Sequence, residues 1–333
     1  MKSFLEFINE NWKPANDHIV PLQILMRGTI GLTSKEEDFT KDAMKILYDD
    51  YIKLVLIKQD GEYNRDSDVP ENRRSEIDFS LPILNFTSTQ HRFLLNPQSK
   101  VFNQVSGLQF SADKKKFHQE FEESDFVPKA VYNLSDINQL EEPIIAKPAD
   151  GFSAQGIELF DTAEDAKKSK LKFDIWSEVK DIDREFRAFI MNNEVILISE
   201  RITNSSNDQS VGKKDADDKI DLVYIDQELN NFPHINEIKR IANEVGLKAK
   251  LEFYNLDLIL DVNGKLWVPE INGAPGIGPS MFWSIYQSWM KMHAEKIGPN
   301  TKKDLIEIMT MHRKNMAKRY PKEYQGSLMP IKS

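Results

Sequence analysis

Apolar and polar residues alternate along this chain in two different periods, and the changes of period mark its elements. Over the first hundred residues, short apolar runs (IVPLQILM, YIKLVLI, FSLPILNF) are separated by charged stretches, the pattern of an α/β unit. From Ser111 the segment SADKKKFHQEFEES is helical. Ser111 is placed to cap it, and Phe117 and Phe121, four residues apart, form an apolar stripe. FVPKAVY, SDINQLEE and PIIAKP predict a strand, a short helix capped by Ser135, and a strand; GIELF, a helix over 162–171 and FDIWSEV follow. EFRAFIM and EVILISERI, joined by Asn192-Asn193, predict a hairpin whose simple register opposes Arg201 to Arg184 unless a bulge intervenes. Residues 203–219, TNSSNDQSVGKKDADDK, lack apolar periodicity and read as a lid-like loop. INEIKRIANEVGLK predicts an amphipathic helix, and the segment from Ser280 onward a helical tail.

Composition narrows the class. At 333 residues, 40% apolar and 29% charged, the sequence is that of an ordinary globular protein of two or three domains. Its net charge of −9, with no long basic block, argues against nucleic acid as a partner. The absence of cysteine excludes disulfides, thiolate catalysis and cysteine-held zinc or iron–sulfur sites. A charged N-terminus without an apolar signal region, and no run of membrane-spanning length, make the cytoplasm the expected location and a membrane an unexpected partner. Self-association is left open.

Two features carry chemistry. Lys147 ends the apolar run of IAKPADGFSAQGIELF, where an ammonium out of water needs an anion. The loop after it, with Gly151, Ser153, Ala154 and Gly156, could bring backbone N–H groups close to phosphate oxygens; the plainer reading is a long hairpin loop beside a snorkelling lysine. The second feature is NLDLILDVNGKLWVPEINGAPG. A two-residue turn at Asn263-Gly264 pairs Val262 with Lys265, Ile259 with Val268 and Asp257 with Glu270, so two carboxylates meet on one face. No arginine is interleaved to relieve them, and a cation resolves the repulsion; Asn272 adds a neutral oxygen on the same face. Oxygen donors alone suit Mg²⁺ or Mn²⁺ better than zinc. The alternative is a solvated pair on an exposed sheet. No G-x-S-x-G elbow, Walker A loop or histidine pair at metal-ligand spacing occurs.

A lysine before a glycine loop, then a carboxylate-bearing strand, then an E-x-N hairpin, in that order over residues 97–278, resembles the ATP-grasp superfamily of carboxylate–amine ligases, in its ribosomal-protein glutamate ligase and D-alanine–D-alanine ligase branches. The resemblance implies an α/β (α+β) ATP-grasp fold. An N-terminal α/β pre-ATP-grasp domain (1–105) would precede a central subdomain (106–178), then a C-terminal subdomain with the metal hairpin and a helical tail (179–333). It implies ATP and Mg²⁺ (or Mn²⁺) as cofactors. Lys114, in the pair Asp113-Lys114, and Lys147 would reach nucleotide phosphates with the loop of Gly151, Ser153, Ala154 and Gly156. Glu178 would receive the adenine amino group, Val179 would offer backbone hydrogen bonds, and Glu185 would hold the ribose. Asp257, Glu270 and Asn272 would be metal ligands, Arg187 and Arg201 the catalytic arginines, and Lys213 or Lys214 a lid lysine. The implied reaction joins a small-molecule or peptide carboxylate to an amine through an acyl phosphate. The rivals are an ATP-grasp kinase acting on a small molecule and a nucleotide-binding module without turnover.

Overall fold

The computed structural model of the chain describes residues 22–27, 52–57, 81–88, 100–150, 156–203, 219–277, 279–292 and 298–319. They divide into two compact units, Met1–Val105 with Gly276–Ser333, and Ser106–Pro275.

In the first unit the apolar runs become a parallel sheet of order β2–β1–β3–β4, from β1 (Leu22–Arg27), β2 (Ile52–Ile57), β3 (Ile83–Asn85) and β4 (Val101–Phe102). Parallel strands are covered on both faces, which is why these sequences do not alternate. Leu22, Gln23, Ile24, Leu25, Ile83 and Leu84 are all buried. The buried amide of Asn85 ends β3 by donating to the carbonyl of Asn103 (3.0 Å) and accepting from the N–H of Thr87 (3.0 Å). The helices Pro279–Met292 and Pro299–Arg319 pack in the same unit, with Trp289 edge-on to Phe102 at 5.5 Å. Among the described residues no helix is long and apolar enough to cross a membrane.

The second unit holds two antiparallel sheets. One has the order β5–β8–β6–β7, from β5 (Ala130–Val131), β6 (Ile144–Lys147), β7 (Glu158–Phe160) and β8 (Ile175–Glu178). The other has the order β11–β10–β9–β12–β13, from β9 (Ile182–Met191), β10 (Glu194–Thr203), β11 (Lys219–Tyr224), β12 (Phe253–Asp261) and β13 (Leu266–Asn272). The period of two in β9 and β12 sorts their residues by face. Phe186, Ala188, Ile190, Leu256, Leu258 and Leu260 join Ile238, Ile241 and Val245 of the amphipathic helix Ile235–Ala249 in one core. The opposite face carries Glu185, Arg187, Asn255 and Asp257.

Local chemistry departs from the sequence reading at four places. Ser111 does not cap a helix: it lies inside α1 (Val105–Ala112), its hydroxyl donating to the carbonyl of Leu108, and Asp113 caps α2 (Lys114–Glu120) by accepting from the N–H of Lys116. A carboxylate is the stronger acceptor at that position, and α1 ends just before it. Ser135 does not cap either. The segment Leu134–Gln139 is a 3₁₀ helix entered from Asn133, and the Ser135 hydroxyl meets the Asp136 carboxylate instead. In the β9–β10 hairpin, Asn192 and Asn193 both take positive φ, 50° and 64°, the demand of a tight two-residue turn. A bulge between Val195 and Leu197 then shifts the register, so that Arg201 opposes Glu185 and Ser199 opposes Arg187. At Asn263-Gly264 only the glycine has positive φ, 82°, and Asp261 bonds Lys265, giving a three-residue loop rather than a two-residue turn. Asp261 organises that loop by accepting from the N–H groups of Asn263 and Lys265 and from the indole of Trp267.

Gly107 of α1 meets the C-terminal end of the helix Ile235–Ala249: a Cβ there would lie 2.6 Å from the carbonyl oxygen of Lys250 and 2.7 Å from that of Ala249. Backbone cannot step aside as a side chain does. Gly107→Ala should therefore lose about 1–3 kcal/mol of stability, although alanine is the better helix former by about 1 kcal/mol. Thermal unfolding of the variant checks this, and an unchanged or raised melting temperature would refute the close packing.

Candidate functional site

The polar face of the five-stranded sheet is assembled by cross-strand register. One row reads Ser199, Arg187, Asp257, Glu270 across β10, β9, β12 and β13. The next, toward the Asn263-Gly264 loop, reads Arg201, Glu185, Ile259, Trp267. On the other side, Asn255 stands between Phe189 and Asn272.

The opposition of Asp257 to Glu270 is as the sequence predicts, but it is reached differently. The three-residue loop pairs Ile259 with Trp267 rather than Val268, and an irregularity between Asp257 and Ile259 restores the register one step further on. The expectation that no arginine relieves the carboxylates is corrected. Arg187, one strand away, donates from Nε to Asp257 Oδ1 at 2.9 Å and from a terminal nitrogen to Oδ2 at 3.5 Å. Lys114, from the start of α2, places its ammonium 3.3 Å from a Glu270 oxygen. The relieving cations come from parts of the chain that the hairpin alone does not reveal. Burial still pushes the Asp257 carboxyl above its usual range, with the charge of Glu270 adding to the rise and Arg187 opposing it. Arg201 is 3.8 Å from Glu185, a looser pair.

Lys147, at the end of β6, is 5% exposed, and its ammonium donates to the carbonyl of Pro269 at 3.3 Å, one residue from Glu270. Burial pulls its pKa down to about 8; Glu270 pulls it up and Lys114 pushes it further down. Lys114 thus reaches a carboxylate of β13, whereas Lys167 and Lys168 pair with Glu164 and Asp165 at the surface. The buried imidazole of His118, one helical turn after Lys114, adjoins this cluster and is held neutral by its burial and by Lys147. Its spacing of four from Lys114 was the available signal for it.

At the end of β8, Glu178 is engaged on both oxygens: one accepts from the N–H of Glu141 (3.3 Å), the other from Lys180 (2.7 Å). Lys180 also lies 4.4 Å from the ring centre of Trp267, where a cation is attracted by the indole face. The N–H of Val179 is committed to the carbonyl of Pro143 at 3.1 Å. Lys180 escapes a motif search because its partners are an aromatic and a carboxylate from separate strands. Asn272, exposed, accepts from the N–H of Ala274 at 3.0 Å, a local turn that fixes its side chain. Gly156 takes φ 72°, a value suited to glycine. Gly151, Ser153, Ala154, Lys213 and Lys214, with residues 204–218 of the expected lid, lie outside the described residues.

The structure brings together Lys114, Lys147, Arg187, Asp257 and Glu270. Among the described residues no group of three or more carboxylate, histidine or cysteine side chains could hold a metal by itself. The donor set Asp257, Glu270 and Asn272 nevertheless fits a hard divalent cation, being all oxygen, provided phosphate oxygens or water complete the shell.

In fold, the chain is similar to the VanG D-Ala:D-Ser ligase of Enterococcus faecalis, at 16% identity over 82% of this chain and 99% of that one, with a TM-score of 0.56. It is likewise similar to the D-alanine–D-alanine ligase of Bacillus anthracis, at 16% identity, 90% and 99% coverage and a TM-score of 0.53. The N5-carboxyaminoimidazole synthetase of Staphylococcus aureus complexed with ADP matches at 12% identity, 84% and 79% coverage and a TM-score of 0.55. No protein-family model and no curated protein sequence matches the chain. The architecture is the ATP-grasp fold expected from the order of its motifs.

A buried ammonium that has lost affinity for its proton weighs on the fold. A pKa lowered from 10.5 to about 8 corresponds to roughly 3 kcal/mol at neutral pH. Between pH 8 and 10.5 the unfolded chain holds a proton that the folded chain has released, so stability should rise with pH across that window. Lys147→Met should melt higher than the parent at pH 7 and lack this rise. Calorimetry at a series of pH values checks it; a variant that melts lower at pH 7 would mean that Lys147 holds the fold together.

Proposed function

We propose that this chain is an ATP-dependent ligase that joins a carboxylate to an amine through an acyl phosphate. The observation that supports this best is the meeting of two poorly hydrated lysines with two opposed carboxylates: Lys114 is 3.3 Å from Glu270, and Lys147 is on the adjacent carbonyl. Cations that can take phosphate oxygens stand beside acids that can take a divalent cation, as phosphoryl transfer requires.

Lys114 and Lys147 would bind the phosphates, together with the loop of Gly151, Ser153, Ala154 and Gly156 and with Lys213. Glu178 and the Val179 carbonyl would border the adenine, although Glu178 must share its carboxylate with Lys180. Glu185 would hold the ribose. Asp257, Glu270 and Asn272 would hold Mg²⁺ or Mn²⁺, which when bound offsets charge on the transferring phosphoryl group. Arg187 and Arg201 would orient the substrate carboxylate and the phosphate that leaves it. An amine that displaces phosphate from the mixed anhydride forms the amide, and exclusion of water protects the anhydride from hydrolysis.

With a panel of carboxylic acids, Mg–ATP and hydroxylamine, the chain should release ADP and phosphate and form a hydroxamate. Glu270→Gln should lower that rate by at least about 100-fold while the variant stays folded. A stable phosphate ester with no hydroxamate would identify a kinase. Binding of Mg–ATP without acceptor-dependent turnover would identify a nucleotide-binding module.

A further inference from the structure

His118 is a buried polar group to which the proposed chemistry gives no task. It is 1% exposed, and neither nitrogen of its ring makes a hydrogen bond. A neutral imidazole carries one N–H donor and one acceptor, and burying both unpaired is a net burden on the fold. Its neighbours Phe117 and Phe121 are equally buried and purely apolar. Packing alone therefore does not account for a histidine here.

Its surroundings do. Four residues after Lys114, His118 lies on the side of α2 from which Lys114 reaches Glu270 of β13. Asp257 opposes Glu270 and Ile259 opposes Trp267, so in β13 the two residues Val268 and Pro269 face Leu258 alone. A ladder is disrupted at such a bulge, and the Pro269 carbonyl accepts instead from the Lys147 ammonium at 3.3 Å. The same carbonyl and that of Pro128 lie close enough to the His118 ring to favour a proton on it, against its burial and the charge of Lys147. A donor without an acceptor thus stands beside an acceptor whose present donor is wanted elsewhere. When phosphate draws the Lys147 ammonium away, the Pro269 carbonyl loses that bond, one residue from Glu270, unless the imidazole closes on it.

We propose that His118 is a positioning residue for Lys147: its ring N–H takes over the Pro269 carbonyl as the ammonium turns to phosphate, so that Lys147 moves without leaving an unpaired acceptor in β13. The nucleotide half of this rests on the ligase reading given above, and the exchange of donors at Pro269 does not.

The test uses the full chain and four variants: Lys147→Met, His118→Phe, His118→Gln, which keeps an N–H donor, and the double variant His118→Phe with Lys147→Met. With no ligand present, Lys147→Met stands for the departed ammonium. Its proton NMR spectrum should show a slowly exchanging, hydrogen-bonded ring N–H of His118 that the unaltered chain lacks. The change in melting temperature caused by Lys147→Met at pH 7 should be at least about 2 °C less favourable when residue 118 is phenylalanine, because no donor is then left for the carbonyl. In titrations with Mg–ATP, His118→Phe should bind about tenfold more weakly than the unaltered chain and His118→Gln within about threefold of it. The double variant should bind no more weakly than Lys147→Met alone, since a residue that acts through Lys147 has nothing to add once Lys147 is gone. A histidine that merely fills space would give additive losses and no rescue by glutamine. Those results, a Lys147→Met spectrum without the new N–H, or unchanged Mg–ATP binding by His118→Phe, would each overturn the proposal. Absence of Mg–ATP binding by the unaltered chain would remove the ligase reading, and the ligand-free spectrum and melting comparison would then decide the exchange of donors by themselves.

Discussion

Charge compensation across one sheet face is the constraint on which the site depends. Two carboxylates opposed across β12 and β13, with a buried ammonium close by, cannot persist in a medium of lowered dielectric unless each charge finds an opposite one. Arg187 from β9 and Lys114 from α2 supply those partners. The face is thereby bound to the rest of its unit: α2 must begin where Lys114 can reach Glu270, and β9 must pair with β12 so that Arg187 falls opposite Asp257. The carboxylate of Asp113 at the helix start and the N–H of Lys114 bonded to the carbonyl of Ala149 fix the first of these positions. The long antiparallel ladder fixes the second.

Stability is supplied on the other side of the same strands. Phe186, Ala188 and Ile190 alternate with Glu185, Arg187 and Phe189, so one face of β9 packs against the helix Ile235–Ala249 while the other carries the half-exposed charges of Glu185 and Arg187 beside the buried Phe189. The pair of Arg184 with Glu200, at 2.7 and 2.8 Å, extends the core side, with the Tyr224 hydroxyl donating to Glu200 and Arg184 lying over Phe186. This pair takes Arg184 out of the site altogether. Arg201, the bulge having moved it opposite Glu185, stands on the polar face instead.

Elements with strong periodicity were legible in the sequence: the amphipathic helix, the Asn192-Asn193 hairpin and the strand-forming apolar runs of the first hundred residues follow from spacing alone. Register was less so, because one inserted residue reverses a face and bulges leave no clear trace in composition. Asp257 and Glu270 were matched correctly only because the longer loop and the irregularity beyond it offset one another. The partners of the carboxylates were not legible at all. Arg187 is 70 residues from Asp257 in sequence, and periodicity within a hairpin says nothing about the strand on its far side. Helix caps failed for a local reason: Ser111 and Asp113 are both good caps, and the choice between them turns on where the preceding helix stops.

The pairing of Arg187 with Asp257 bears on how the proposed chemistry could be ordered. An arginine spread over both oxygens of a carboxylate is held by that carboxylate and has fewer donors to give a substrate. A divalent cation at Asp257 and Arg187 would draw on the same oxygens, and each would weaken the hold of the other. The same holds for Lys114 at Glu270. Both cations would then be loosened together, toward phosphate and substrate carboxylate, when the acids are otherwise neutralised. If the chain has the activity proposed above, the ion pairs would be a resting arrangement that keeps like charges apart and leaves the cations within a short reach of phosphate and substrate, so that assembly of the site would demand rotation of side chains.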